Sequence, residues 1–264
     1  MSAHPNGLPP APPADWAEIN RSNWDDRVPL HVGGRFYDVP GFTAGADTLI
    51  DFELAEVGDV TGKRLLHLQC HIGLDTLSWA RRGAEVTGLD FSAPAVAEAA
   101  RLAAAIGAGT ARFVVSDVYE AAEALDGRTF DVVYTGRGAL NWLPDLARWA
   151  RTVARLVEPG GFVYLAEFHP LSELVEDDPG VLVEDYFLRG AQVVDAPGSY
   201  ADPAAELSST RTVQWRHGVG DVVSALAAAG LRLEFLHEHA HGHFRLPAGP
   251  RIPLVYSLRA ARPL

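Results

Sequence analysis

The apolar run Leu65 to Leu68 is followed by the turn Gln69-Cys70-His71-Ile72-Gly73, and the run Glu85 to Leu89 ends in Asp90, Phe91 and Ser92. Strand, tight turn, helix and a second strand closing on a carboxylate is the order that builds a nucleotide crevice between neighbouring parallel strands. The acid then accepts hydrogen bonds from ribose hydroxyls. Asp90 could also cap the next helix, but Ser92 already supplies that cap. His169 and His217 are the candidate catalytic residues: an imidazole with a near-neutral intrinsic pKa could take a proton from a hydroxyl or amine during group transfer. Either could equally be a structural histidine bonding a loop carbonyl. Asn141 and Trp142 face the same crevice, and Tyr186, Phe187, Tyr200 and Trp215 are natural walls for an apolar or aromatic substrate, or packing for a lid. Cys70 reads as a small buried side chain, because a nucleophilic thiol needs an activating partner. His237, His239, His241 and His243 would share one face of an extended strand and could ligate a transition metal. Gly242 and the prolines that follow break such a strand, so no metal is expected.

These residues need a frame, and the chain predicts one by repeating buried strand and amphipathic helix. Strands are expected at 65–68, 85–89, 112–115, 130–135, 162–168, 231–237 and 254–258. Helices are expected at 75–82, closed by Gly83, from the Ser92 cap to Ile106, at 144–157 and at 219–229. Glu158-Pro159-Gly160-Gly161 reads as a turn launching the fifth strand. The alternation implies an α/β doubly wound sheet with helices on both faces. The last two strands lack an intervening helix and are expected to pair antiparallel. Around this frame, residues 1–14 carry five prolines and predict a loose tail, residues 15–60 a short helical lid, and residues 61–264 the main domain. The irregular stretch at about 169–216 predicts a substrate-covering insertion.

Composition narrows the partners. A net charge of −12 over 264 residues argues against a phosphate-tracking face, so nucleic acid is not an expected partner. One cysteine cannot form an internal disulfide, no secretory pattern opens the chain and no apolar run is membrane-spanning, which predicts a cytoplasmic protein without a membrane partner.

The turn discriminates between nucleotides. A nicotinamide dehydrogenase normally has three glycines there to admit a pyrophosphate, and only Gly73 stands. A phosphate-binding loop needs lysine followed by serine or threonine, which is absent. S-adenosylmethionine has no phosphate to cradle. Over roughly residues 61–260 the chain resembles the class I S-adenosylmethionine-dependent methyltransferases. The resemblance is carried by the Leu65 to Gly73 turn, Asp90, Ser116-Asp117-Val118, Phe130 to Tyr134, and Leu156-Val157-Glu158-Pro159-Gly160-Gly161-Phe162. It implies a Rossmann-like, mostly parallel seven-stranded sheet with an antiparallel last strand. It also implies that Gln69, Cys70, His71 and Gly73 wrap the methionine and ribose of the cofactor, and that Asp90 binds the ribose hydroxyls with Phe91 on adenine and Ser92 beside them. Asp117 and Val118 would meet the adenine amino edge, and Thr135 and Gly136 the methionine amino group. That family usually has an acid at the position of His67 and glycines at those of Gln69 and His71, so His67 has no assigned role. The expected activity is methyl transfer from S-adenosylmethionine, leaving S-adenosylhomocysteine, to an oxygen or nitrogen of a small molecule. A non-catalytic S-adenosylmethionine-binding protein and an NAD-dependent oxidoreductase are the alternatives.

Overall fold

The computed structural model describes residues 11–174, 185–240 and 252–264. Helices α1 (Trp16–Gly33), α2 (Val39–Thr43) and α3 (Asp51–Val57) precede the sheet. The alternating core follows as β1 (Arg64–Leu68), α4 (Leu74–Arg81), β2 (Glu85–Asp90), α5 (Ala93–Ala105), β3 (Arg112–Val115), α6 (Ala121–Ala124), β4 (Phe130–Thr135), α7 (Leu146–Leu156) and β5 (Val157–Phe168). A hairpin of β6 (Ala191–Asp195) and β7 (Arg211–Trp215) comes next, then α8 (Val219–Ala228), β8 (Arg232–His239) and β9 (Val255–Ala261).

Seven strands form one sheet in the order β3-β2-β1-β4-β5-β9-β8, the first five parallel and β9 antiparallel to both neighbours. The expected doubly wound sheet is therefore present. Its central strands are apolar on both sides because both faces are covered. Leu66, Leu68, Val133, Val163 and Leu165 pack with Trp149, Val153 and Leu156 of α7 and with Leu226 of α8. Leu65, Val132, Tyr134 and Tyr164 pack with Trp79 of α4 and Val57 of α3 on the opposite face. The cap and stop residues act as their types predict: Ser92 Oγ accepts from the Ala95 N–H at 3.3 Å, and Asp145 Oδ1 from the Arg148 N–H at 2.8 Å.

Three elements differ from expectation. β5 begins at Val157, not Phe162, because the chain stays in the sheet through an irregularity: Phe130 pairs with Val157 and Val132 with Phe162. Gly160, at φ 81°, makes that detour possible. The insertion contains the β6–β7 hairpin; β6 is mostly exposed and so lacks the apolar alternation that announces a strand. Lastly, α1 is a full 18 residues and contains Pro29, and its buried side is polar: Asn20, Asn23, Arg27 and His31, with Val28. Residues 1–10 lie outside the described residues.

The helix α1 is sewn to the hairpin. Asn20 uses its amide as a strand would, donating from Nδ2 to the Val213 carbonyl at 2.8 Å and accepting at Oδ1 from the Val213 N–H at 2.7 Å. The Ser209 N–H donates to Asp26 at 2.7 Å, and Trp16 meets Trp215 edge to face at 5.1 Å. Helix and hairpin thus form one cover.

Candidate active site

The neighbours of β1 are β2 on one side and β4 on the other, so the sheet order reverses here and leaves a crevice beyond the carboxyl ends of these strands. The turn after β1 lines it. Gln69 (φ 57°), His71 (φ 48°) and Gly73 (φ 78°) all have left-handed backbone. A glycine-type turn is therefore built with two non-glycine residues, at about 1–2 kcal/mol each. Local hydrogen bonds hold it: the Cys70 N–H donates to the Leu89 carbonyl at 3.0 Å, the Gly73 N–H to the Cys70 carbonyl at 2.9 Å, and Gln69 Nε2 to the Ala139 carbonyl at 2.9 Å. A β-carbon on Gly73 would stand 2.7 Å from Ala99 Cβ and 2.9 Å from the Phe113 ring. Gly73→Ala is accordingly expected to cost about 2–4 kcal/mol of stability, from overpacking and the left-handed backbone together, measured by urea unfolding.

Asp90 closes the crevice wall. Its Oδ2 accepts from the His71 N–H at 2.8 Å and its Oδ1 from the Ser92 N–H at 2.9 Å, so the carboxylate fixes both the turn and the start of α5. Burial raises its pKa to about 6, while the backbone donors oppose that rise. Each oxygen has one protein donor and a remaining lone pair for a diol. Phe91 beside it is half-buried. Asp117 Oδ1 accepts from the Tyr119 N–H at 2.8 Å, and Val118 is buried beside it.

On the β4 side, Thr135 is fully buried and its Oγ1 has no hydrogen-bond partner. The Gln69 Oε1 and Asn141 Oδ1 atoms are also buried without partners. Three orphaned acceptors around one crevice are the mark of a site made for a polar ligand. A β-carbon on Gly136 would face Asp75 Oδ2 at 3.5 Å, His67 Nε2 at 3.6 Å and the Tyr134 hydroxyl at 3.6 Å. His67, which had no role in sequence, binds Thr76 Oγ1 through Nδ1 at 2.8 Å and is held neutral by burial, its pKa lowered to about 3. Arg137 ion-pairs with the buried Glu53 at 2.7 Å, and Tyr134 donates its hydroxyl to the same carboxylate at 2.7 Å. Glu167, at the end of β5, organises the loop after β4 by accepting from the Gly138, Ala139, Leu140 and Phe168 N–H groups. In Glu167→Gln an amide N–H2 would point at backbone N–H groups. The expected loss is about 2–3 kcal/mol in denaturant unfolding, with weaker cofactor binding.

Over the crevice lies an assembly that sequence reasoning missed. His31 of α1 bonds His71 through Nδ1 at 2.8 Å and Ser199 Oγ through Nε2 at 2.8 Å. Both imidazoles are neutral: burial and then the Arg27 charge lower His31 to about 3, and burial, His31 and Arg27 lower His71 well below the usual value. Trp24 packs edge-on against His71 at 5.2 Å and Trp142 at 5.3 Å, while Tyr37 joins its hydroxyl to that of Tyr200 beside His31. The spacing of Asn20, Asn23, Arg27 and His31, three, four and four residues apart, was the available signal, since it places them on one helical face.

The sequence candidates divide. Gln69, His71, Asp90, Trp142 and Tyr200 come together, with Thr135 and Gly136 on the adjoining strand end. His169 accepts at Nδ1 from the Leu171 N–H at 3.1 Å and meets Glu238 with Nε2 at 3.1 Å, so both its nitrogens serve the protein. His217 donates from Nε2 to the Leu143 carbonyl at 2.8 Å. Trp215 packs on α1, and Tyr186 packs on Phe187 at 5.2 Å. Cys70 is buried against Gly88, and burial pushes its thiol pKa far up. His237 binds Glu56 at 2.7 Å and His239 binds Ser257 at 2.8 Å; His241 and His243 lie outside the described residues. Among the described residues no group of three or more His, Cys, Asp or Glu side chains could hold a metal, and no helix is long and apolar enough to cross a membrane.

Comparison with known proteins identifies a domain within the chain. Residues 66–163 match the family model described as a methyltransferase domain. This segment is a methyltransferase domain. The ubiquinone biosynthesis O-methyltransferase of Sodalis glossinidius is 40% identical over 117 residues, 44% of this chain and 46% of that protein. The chain thus matches about half the length of such curated relatives. Among solved structures, an S-adenosylmethionine-dependent methyltransferase from Mesorhizobium loti aligns with a TM-score of 0.57 at 24% identity, covering 83% of this chain and all of that one. The CcbJ methyltransferase of Streptomyces caelestis aligns with a TM-score of 0.63 at 14% identity over 93% of this chain and all of that one. These likenesses establish the fold, and the methyltransferase domain is the part of the chain that carries the crevice.

Proposed function

We propose that this methyltransferase moves the methyl group of S-adenosylmethionine to a hydroxyl oxygen of a small aromatic molecule. The observation that carries the reading is the neutral pair of buried His31 and half-buried His71 at the edge of the crevice, surrounded by Trp24, Tyr37, Trp142 and Tyr200. The bound cofactor supplies an already activated methyl on its sulfonium, so the chain's own task is to position, shield and move a proton. Asp90 holds the ribose diol, and Gln69, Asp75 and the Thr135–Gly136 strand end receive the methionine portion. The aromatic rings align a planar acceptor and keep water out.

A hydroxyl is a poor nucleophile until its proton leaves. The burial and the Arg27 charge that keep these imidazoles neutral also make them weak bases, so His71 takes the hydroxyl proton only as the oxygen–methyl bond forms and makes that proton acidic, while the bonds through His31 to Ser199 orient the ring. An amine attacks in its neutral form and needs no such base, which is why the pair favours oxygen. The 40% identity to an O-methyltransferase over 117 residues supports the same choice. His169 and His217 are assigned to holding loops in place. The test is methyl transfer from carbon-13-labelled S-adenosylmethionine to catechols, phenols and matched anilines, read by NMR of the product. Labelled methyl on oxygen is the expected result; methyl on the aniline nitrogen alone overturns the oxygen assignment.

A further inference from the structure

Arg27 is only 6% exposed, yet it has no anionic partner among the described residues. Its guanidinium carbon stands 5.0 Å from the Trp24 ring, 5.9 Å from the Trp142 ring and 5.6 Å from the Tyr200 ring. Its Nε is buried without a hydrogen-bond partner. The groups acting on its charge are the hydroxyls of Tyr200 and Tyr37, not a carboxylate. Arg137, a half-buried arginine at this crevice, is paired with Glu53 at 2.7 Å. Rings stabilise a cation through their faces but leave its in-plane N–H donors needing acceptors. A buried cation left in that condition is costly unless a ligand completes it.

We propose that Arg27 is the receptor for a ligand carboxylate at the mouth of the crevice, with Trp24, Trp142 and Tyr200 as the walls of its box. A planar two-oxygen anion matches the guanidinium fork. A phosphate dianion would require a second cation, and His31 and His71 beside it are neutral. The carboxylate comes from one of two sources, the methionine end of the cofactor or the acceptor itself. The inference rests on the methyltransferase reading and refines what that site recognises.

Calorimetry on wild type, Arg27→Gln and Arg27→Lys distinguishes these sources, with circular dichroism confirming that each variant folds. S-adenosylhomocysteine is compared with 5′-methylthioadenosine, which lacks the carboxylate. Protein saturated with S-adenosylhomocysteine is then titrated with 4-hydroxybenzoate and with p-cresol. If Arg27 holds the cofactor, Arg27→Gln weakens S-adenosylhomocysteine by about tenfold or more and leaves 5′-methylthioadenosine unchanged. If it holds the acceptor, S-adenosylhomocysteine is unaffected, and the variant loses the preference of the wild type for 4-hydroxybenzoate over p-cresol. In either case Arg27→Lys keeps part of the affinity. Absence of any carboxylate-specific loss in both comparisons overturns the proposal while leaving the cofactor site intact. Wild type that binds neither thioether removes the methyltransferase reading and this inference with it.

Discussion

Asp90→Asn is expected to weaken S-adenosylhomocysteine by about a hundredfold or more, because two charge-assisted bonds to the ribose diol are worth about 1.5–3 kcal/mol each. Stability should change far less. The new amide N–H2 must face either the His71 or the Ser92 N–H, which costs about 1–3 kcal/mol. Offsetting this, the variant no longer holds an anion in a buried place: a pKa of about 6 against an ordinary 3.8 corresponds to about 3 kcal/mol at pH 7. The two effects nearly cancel, so affinity and melting temperature should separate.

The same shift fixes a pH dependence. Since the folded pKa lies above the unfolded one, native Asp90 retains a proton that the unfolded chain has lost between about pH 4 and pH 6. Its contribution to stability therefore falls as pH rises through that window. Ligand binding runs the other way: ribose hydroxyls donate to the ionised form, so affinity should rise by about tenfold from pH 5 to pH 7.5 and then level. Calorimetry across that range should show the rise in wild type and a flat response in Asp90→Asn.

Removing the proton acceptor should have the largest effect on turnover. His71→Gly deletes the imidazole at a position whose φ of 48° glycine adopts freely, and it retains the backbone N–H that Asp90 accepts. Cofactor affinity should stay within about threefold of wild type, while kcat for a phenolic acceptor falls by about 10²–10⁴. His31→Asn should behave similarly, since it breaks the link from His71 to Ser199. His169→Gln and His217→Gln should keep kcat within about threefold, because those rings bind Leu171, Glu238 and Leu143 rather than reacting groups. A large kcat loss in His169→Gln with His71→Gly unchanged would reverse the assignment. Single-turnover and steady-state rates on matched protein preparations decide it.

The frame was legible because a parallel sheet buries its strands on both faces, and runs such as Leu65 to Leu68 and Phe130 to Thr135 carry that burial openly. The carboxylate at the end of β2 was equally readable in its place, since strand order puts it on the crevice wall beside the turn after β1. The cover over the crevice was much harder to read. The inward face of α1 is polar, so a search for apolar stripes passes over Asn20, Asn23, Arg27 and His31. The His31–His71 contact joins residues forty positions apart, and no periodicity reports such a meeting. Histidines at strand ends, by contrast, attract attention for their position alone. His169 fits that pattern, yet its two nitrogens cap a short helix and meet Glu238. The turn after β1 taught the opposite lesson: Gln69 and His71 depart from the glycine pattern in sequence while keeping its backbone geometry.

The central claim is that the crevice between β1 and β4 takes S-adenosylmethionine. Calorimetric titration of the purified protein with S-adenosylmethionine, S-adenosylhomocysteine and NAD tests it most directly. Binding of the first two with a Kd on the order of micromolar, and no heat from NAD, is the predicted result; binding of NAD alone, or of none of the three, would contradict it.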